Sequence, residues 1–258
     1  MNKLPVLFLG HGNPMNVLEP DNRFNRAIAD IGRTLPKPKA ILMISAHWYD
    51  EQLQVSSSPN PPMIYDFYGF PESLYQVEYP AKGDVQLAQT ISELLHDDGI
   101  VQNGEQGFDH GMWTTLKYLY PNADIPVVQL SIKRHQPMAW HIAIAQKLKA
   151  LRSQGVLIVG SGNIVHNLRA VQFRGGQAYE WASEFQHTIN QTILAKDLHT
   201  LANYHTLPHA SLAVPTEEHY LPLIYIMAMA DGDEKMMIFN DEIDIASISM
   251  TSVAVGLP

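Results

Sequence analysis

Ala40-Ile41-Leu42-Met43-Ile44-Ser45-Ala46-His47-Trp48 is the stretch that decides the fold. Residues 40–44 are apolar without a break. A strand with one wet face alternates apolar and polar side chains, so this run reads as a strand covered on both faces, as in a parallel sheet. Residues 4–9, 125–132 and 156–161 have the same character. Helical patterns lie between them. One runs from Asp21 to about residue 31 and is ended by Gly32. Others cover 84–96, with Asp84 as cap, 112–120, 137–154, with Pro137 in the first turn, and 179–195. Residues 215–219 lead into an apolar helix to about 230, and 235–239 and 248–255 read as closing strands. Strands that alternate with helices predict an α/β fold: a single domain over residues 1–258 with a central, mostly parallel or mixed sheet flanked by helices. Residues 53–57 read as a short strand. Residues 195–214 read as irregular.

Composition narrows the function. The 258 residues are 46% hydrophobic and 17% charged, which is globular rather than disordered. The 17 basic and 26 acidic residues leave a formal net charge of −9, with no basic cluster, so neither nucleic acid nor an anionic membrane is expected as a partner. No apolar run approaches the roughly 20 residues of a membrane helix, and no signal peptide is visible, so the expected location is the cytoplasm. Cysteine is absent, which excludes disulfides, thiolate nucleophiles and cysteine-bound zinc or iron–sulfur sites. Twelve histidines remain, enough for a nitrogen and oxygen metal site.

The histidines are not scattered at random. His11 stands between Gly10 and Gly12 just after the first strand, His47 ends the second, and His166 follows the strand that begins at Val156. His219 lies on the entry to a helix. A start near Leu221 with Pro222 at N1 is more comfortable than one at Thr216, because proline in the second turn removes a helix bond. His110 sits in a glycine-flanked loop that enters a helix. In open α/β sheets ligands bind beyond the carboxyl ends of the strands, so residues far apart in sequence can meet there. Each histidine alone has an ordinary explanation: a turn at His11, a strand end packed by Trp48 at His47, a loop histidine bonded to backbone at His166. Four at element ends are better explained together, as a metal or catalytic site. His96, His135, His141, His187 and His199 read as surface or packing residues, while His205 and His209 could cover a pocket.

Other chemistries lack their residues. There is no Gly-Lys-Ser/Thr phosphate loop, and Gly160-Ser161-Gly162-Asn163 is not a Gly-x-Ser-x-Gly elbow. Gly10-x-Gly12 begins like a dinucleotide fingerprint, but Met15 stands where the third glycine belongs and Pro14 interrupts the turn. No His-Glu-x-x-His is present.

Five motifs, in order along nearly the whole chain, carry a family resemblance. They are Gly-His-Gly-Asn-Pro-Met at 10–15, Ser-Ala-His-Trp at 45–48, Gly-Phe-Asp-His-Gly at 107–111, Ser-Gly-Asn-Ile-Val-His-Asn-Leu at 161–168 and Pro-Thr-Glu-Glu-His-Tyr-Leu-Pro-Leu at 215–223. The set resembles the LigB-type, class III extradiol ring-cleaving dioxygenases, and within them the DOPA 4,5-extradiol branch. The resemblance implies a non-haem Fe(II) site and oxidative opening of a small, DOPA-like catechol by O2. Carried over residue by residue, His11, His47 and His219 look like metal ligands. His166 matches the acid/base histidine, close enough to the metal to be a ligand itself, and His110 resembles a second active-site histidine that positions substrate or oxygen.

The wider class uses two histidines and a carboxylate, and Glu218 stands next to His219, so the third ligand is one or the other. A neutral third ligand would also suit zinc, and purified protein is expected to be able to carry Zn(II) in place of working Fe(II). Tyr65, Phe67, Tyr68 and Phe70, in a loop with four prolines over 58–71, are expected either to wall the aromatic substrate or to staple the sheet. Two other functions use the same histidines: a zinc-dependent hydrolase, and a non-catalytic metal-binding module. The oligomeric state is not set by the sequence.

Overall fold

A computed structural model describes residues 3–173 and 176–257. Its first half runs β1 Val6–Gly10, α1 Arg23–Thr34, β2 Ala40–Asp50, β3 Gln54–Ser56, α2 Glu72–Tyr75, α3 Val85–Leu94, β4 Val101–Asn103, α4 His110–Leu119 and β5 Val127–Lys133. The second half runs α5 Met138–Leu148, β6 Val156–Gly162, α6 Glu180–Leu194, α7 Leu198–Ala202, α8 Ala210–Ala213, α9 Leu221–Ala228, β7 Met236–Phe239, β8 Ile243–Asp244, β9 Ile248–Ser249 and β10 Ser252–Val255.

The unbroken apolar strands are buried on both faces. Val6, Phe8, Leu42, Ile44 and Ile158 face one layer, with α3, α5, α6 and α9. Leu7, Leu9, Ile41, Met43 and Val159 face the other, with α1 and α4. Each strand therefore serves two cores with alternate residues. The main sheet has eight strands in the order β4-β3-β5-β2-β6-β1-β10-β7. Its centre, β5-β2-β6-β1, is parallel, and β10, β7 and the β3–β5 pair are antiparallel, so the sheet is mixed. Register aligns Gly10 with Gly162 and Ser45 with Ser161. The carboxyl ends of β1, β2 and β6 thus lie side by side.

Several boundaries differ from the sequence reading. Asn22 rather than Asp21 caps α1, its side chain accepting from the Phe24 amide. Gly32 does not end α1 but lies inside it, where a Cβ would come within 2.3 Å of the Leu119 carbonyl oxygen of α4. Residues 198–213, read as irregular, form α7 and α8 and a 3-10 turn. The closing run 248–255 divides, with β9 pairing β8 in a separate two-stranded sheet and β10 joining the main one. Strands β4 and β8 carry too little pattern to read. Pro222 opens α9, as its fixed φ favours. No helix among the described residues is long and apolar enough to cross a membrane.

His141 shows what a histidine does as core. It is fully buried between α5 and α9, with Nδ1 3.0 Å from Tyr225 Oη. Burial pushes its pKa down to about 4. The unfolded chain takes up this proton near pH ~6.5, and the folded protein refuses it until about 4. Stability from this group is therefore full above the unfolded value and falls as pH drops toward 4, by about 3 kcal/mol at the lower end. His141→Gln is expected to narrow the drop in Tm between neutral pH and about pH 4.5. An equal drop in the variant would mean that His141 does not carry the effect.

Candidate metal centre

Five histidines meet at the carboxyl edge of the parallel strands. His11 follows β1 directly, and Gly12 beside it has φ of +59°, a conformation that favours glycine and turns the chain sharply away. His47 lies in β2, where the pairing with β5 slips between Ile44 and Tyr49; this irregularity lies beside the ring. His110, at the entry to a helix, is the first residue of α4. Its neighbour Asp109 caps that helix, accepting from the Met112 amide, and is bound by Ser45 Oγ at 2.7 Å and Gln129 Nε2 at 2.7 Å. That buried carboxylate fastens the start of α4 to β2 and β5, which brings the His110 ring 3.8 Å from the His47 ring, centroid to centroid. His166 bridges to Ile248 of β9, and its ring stacks on His219 at 3.5 Å and 7°.

Hydrogen bonds select the tautomer of three of these rings. Ser161 Oγ gives its proton to the Gly111 carbonyl at 2.7 Å, so it accepts from His11 Nδ1 at 3.0 Å. His47 Nδ1 faces the Asp66 carboxylate, 3.0 Å from Oδ2, which favours a proton on that nitrogen, and His219 Nδ1 donates to Glu218 Oε1 at 3.1 Å. Each ring is left with its Nε2 lone pair. The Nε2 atoms of His11 and His47 face each other at 3.1 Å, and His219 Nε2 is buried with no partner among the described residues. Two lone pairs so close need a positive charge between them, a proton or a metal ion. A nitrogen held by its opposite partner in this way is what a metal-binding imidazole requires. The donor set therefore fits a divalent metal. Ligand atoms of His11, His47 and His219 all lie within 4.8 Å of one another. His166 is not in that set, and groups instead with Glu218 and His219.

The electrostatics agree. Burial, then the neighbouring imidazoles, hold His11 and His219 well below the ordinary histidine value. Burial brings His166 down to about 4. Burial is the largest influence on His47 and lowers it, but Asp66 beside its ring together with the negative charges of Asp109, Asp66 and Glu218 overcomes this and leaves it raised, so positive charge is favoured on this ring. Burial alone would raise the Asp66 carboxyl; the hydrogen bonds from His110 and His47 overcome it and hold the group far below the usual carboxylate range.

The sequence left Glu218 and His219 as competitors for one ligand position. Instead they are bonded to each other, and the Glu218 oxygen on the His219 ring also accepts from Thr216 Oγ1 at 2.8 Å. Glu217 accepts from Tyr49 Oη at 2.9 Å. Sequence reasoning overlooked Asp66, Ser161 and Asp109. The one available signal was an acidic residue inside an otherwise apolar, aromatic loop, at Asp66.

A cavity of about 440 Å³ opens over the histidines, a size that holds a small aromatic molecule. Phe67, Tyr68 and Phe70 line it, with Phe67 edge-on to His110 at 5.4 Å. Tyr65 does not line it. Its hydroxyl donates to the Val77 carbonyl at 2.8 Å and its ring packs on Trp113, so Tyr65 staples the loop while the other three rings line the cavity. His205 and His209 do not line it either; His209 pairs with Glu184 at the surface.

Comparison with known proteins follows the same lines. Residues 5–256 match the family model described as the catalytic LigB subunit of aromatic ring-opening dioxygenase. A protein of Escherichia coli K12 named 4,5-DOPA dioxygenase extradiol is 45% identical over 98% of this chain and 95% of its own. A Beta vulgaris protein of the same name is 35% identical over 93% and 91%. The crystal structure of an uncharacterized Escherichia coli K12 protein superposes with a TM-score of 0.87 at 42% identity, covering 98% of this chain and all of that one.

Proposed function

The chain belongs to the family of the catalytic LigB subunit of aromatic ring-opening dioxygenase, whose members are metal-dependent, and on that premise we propose that it opens the ring of a small catechol at an Fe(II) held by His11, His47 and His219. It is an extradiol ring-cleavage dioxygenase, acting on an aromatic substrate with O2. The single observation that carries the metal reading is the convergence of three imidazoles whose Nδ1 atoms are all engaged by acceptors. A DOPA-like catechol is the substrate class suggested by the names of the relatives.

Held by these three imidazoles, Fe(II) would supply the redox chemistry between the diol and oxygen. The chain's residues do the rest. His166, outside the three-ring set but lining the cavity, takes a phenolic proton and returns one as the ring opens. His110 holds the diol or oxygen from the α4 side. Phe67 and Phe70 flank the ring and exclude water, with the exposed Tyr68 at the rim of the cavity.

Phe67→Ala and Phe70→Ala are expected to raise KM for catechols about tenfold each, the equivalent of roughly 1.4 kcal/mol of lost contact, with kcat less affected. Tyr65→Ala is expected to leave KM alone and to lower Tm. An unchanged KM in the phenylalanine variants would remove the wall from the proposal.

The deciding experiment is anaerobic Fe(II) reconstitution followed by oxygen-electrode assays over a panel of catechols. Oxygen uptake with a new visible chromophore is the expected result. The all-imidazole donor set also suits zinc, so hydrolysis without oxygen consumption would favour a zinc-dependent hydrolase. Bound metal with neither activity would leave a binding module.

A further inference from the structure

We propose that Asp66 is the positioning residue that makes His47 a metal ligand, by holding its ring in the tautomer whose Nε2 is bare. The inference rests on the reading of His47 as a ligand. Asp66 belongs to the aromatic loop rather than to the sheet. Its neighbour Tyr65 is pinned to Val77, and its other neighbour, Phe67, lines the cavity. Although the residue lies at the surface, its carboxylate is turned inward and its side chain is 24% exposed.

The two carboxylate oxygens have different duties. Oδ1 accepts twice from His110, from the backbone amide at 3.0 Å and from Nδ1 at 2.9 Å. Oδ2 lies 3.0 Å from His47 Nδ1, where a carboxylate oxygen favours a proton on that nitrogen. This asymmetry predicts what an isosteric amide would do. A backbone N–H can only donate, so the oxygen of an asparagine must stay at the Oδ1 position. Its NH2 group then falls where Oδ2 was, facing His47 Nδ1. An NH2 donates and cannot accept, so His47 must give up its Nδ1 proton and carry it on Nε2 instead. The nitrogen that faces His11 would be capped by hydrogen. His110 keeps its acceptor and its tautomer. Removing the side chain altogether is gentler, because alanine releases His47 without forcing the wrong tautomer on it.

Asp66→Asn should therefore be worse than Asp66→Ala for metal binding, although it is the more conservative change. The order is the signature of tautomer control. A residue that only stabilised the loop would lose most with alanine.

The test is titration of the metal-free full-length protein with Co(II), read by its visible absorption bands, for the wild type and both variants, with Tm recorded for each. Asp66→Asn is expected to bind about 10- to 100-fold more weakly than wild type, the usual cost of losing the group behind a ligating histidine. Asp66→Ala is expected to lie between the two. Binding by Asp66→Asn equal to wild type, or weaker binding by alanine than by asparagine, would overturn the proposal while leaving the proposed function intact. A wild-type protein that binds no Co(II) would overturn both, and would be seen before any variant is compared.

Discussion

His219→Ala is expected to cost at least about 100-fold in metal affinity and to bring oxygen-dependent turnover below detection. Loss of the partner behind a ligating histidine already costs about 10- to 100-fold, and here the ligand itself is removed. The geometry gives no substitute. His219 is 7% exposed, its Nε2 has no partner among the described residues, and Glu218 is bonded to the far side of its ring. Glu218→Ala is expected to bind metal about tenfold more weakly and to keep measurable turnover, because it removes only the acceptor that orients the ring. Metal content after reconstitution, together with oxygen uptake, separates the two residues. If His219→Ala kept its metal and Glu218→Ala lost it, the carboxylate would be the third ligand, as in the wider class of two-histidine, one-carboxylate sites.

Substitution of His166 is expected to have the opposite profile. With metal retained, kcat should fall by about 10²- to 10⁴-fold, the range for a lost general acid/base. The stack of His166 on His219 makes the choice of variant matter. Alanine leaves a gap beside a ligand. Phenylalanine keeps a flat ring in the stack and cannot carry a proton. His166→Phe should then hold Fe(II) or Co(II) within a few-fold of wild type and still lose turnover by the full factor. Parallel loss of metal and activity in both variants would make His166 a ligand. A phenylalanine variant that turns over normally would remove it from the proton transfers.

The histidines divide by what surrounds them rather than by their position in the chain. His141 and His219 are both buried with an unpartnered Nε2. Around His141 there is one tyrosine hydroxyl and apolar packing, so the ring stays neutral and its only expected consequence is acid lability. Around His219 there are three more imidazoles, so the same bare nitrogen joins a group of ligand atoms that could hold a cation.

What the chain determined by itself was local and periodic. Unbroken apolar runs at 40–44 and 156–159 specify strands covered on both faces, and these impose the α/β layers. Asp84, Pro137 and Pro222 mark helix starts because capping and proline geometry act within a few residues. Histidines at the ends of such strands were legible as a site, since parallel strands bring their carboxyl ends together. Only the tertiary structure decided which nitrogen of each ring is free. That depends on Ser161 from a neighbouring strand, Asp66 from a loop 19 residues beyond His47, and Glu218 turned back on its own neighbour. It also decided that Phe67 lines the cavity while Tyr65 anchors the loop. Hydrogen-bond partners across the fold obey no sequence period, because each is set by where two separate segments happen to be packed.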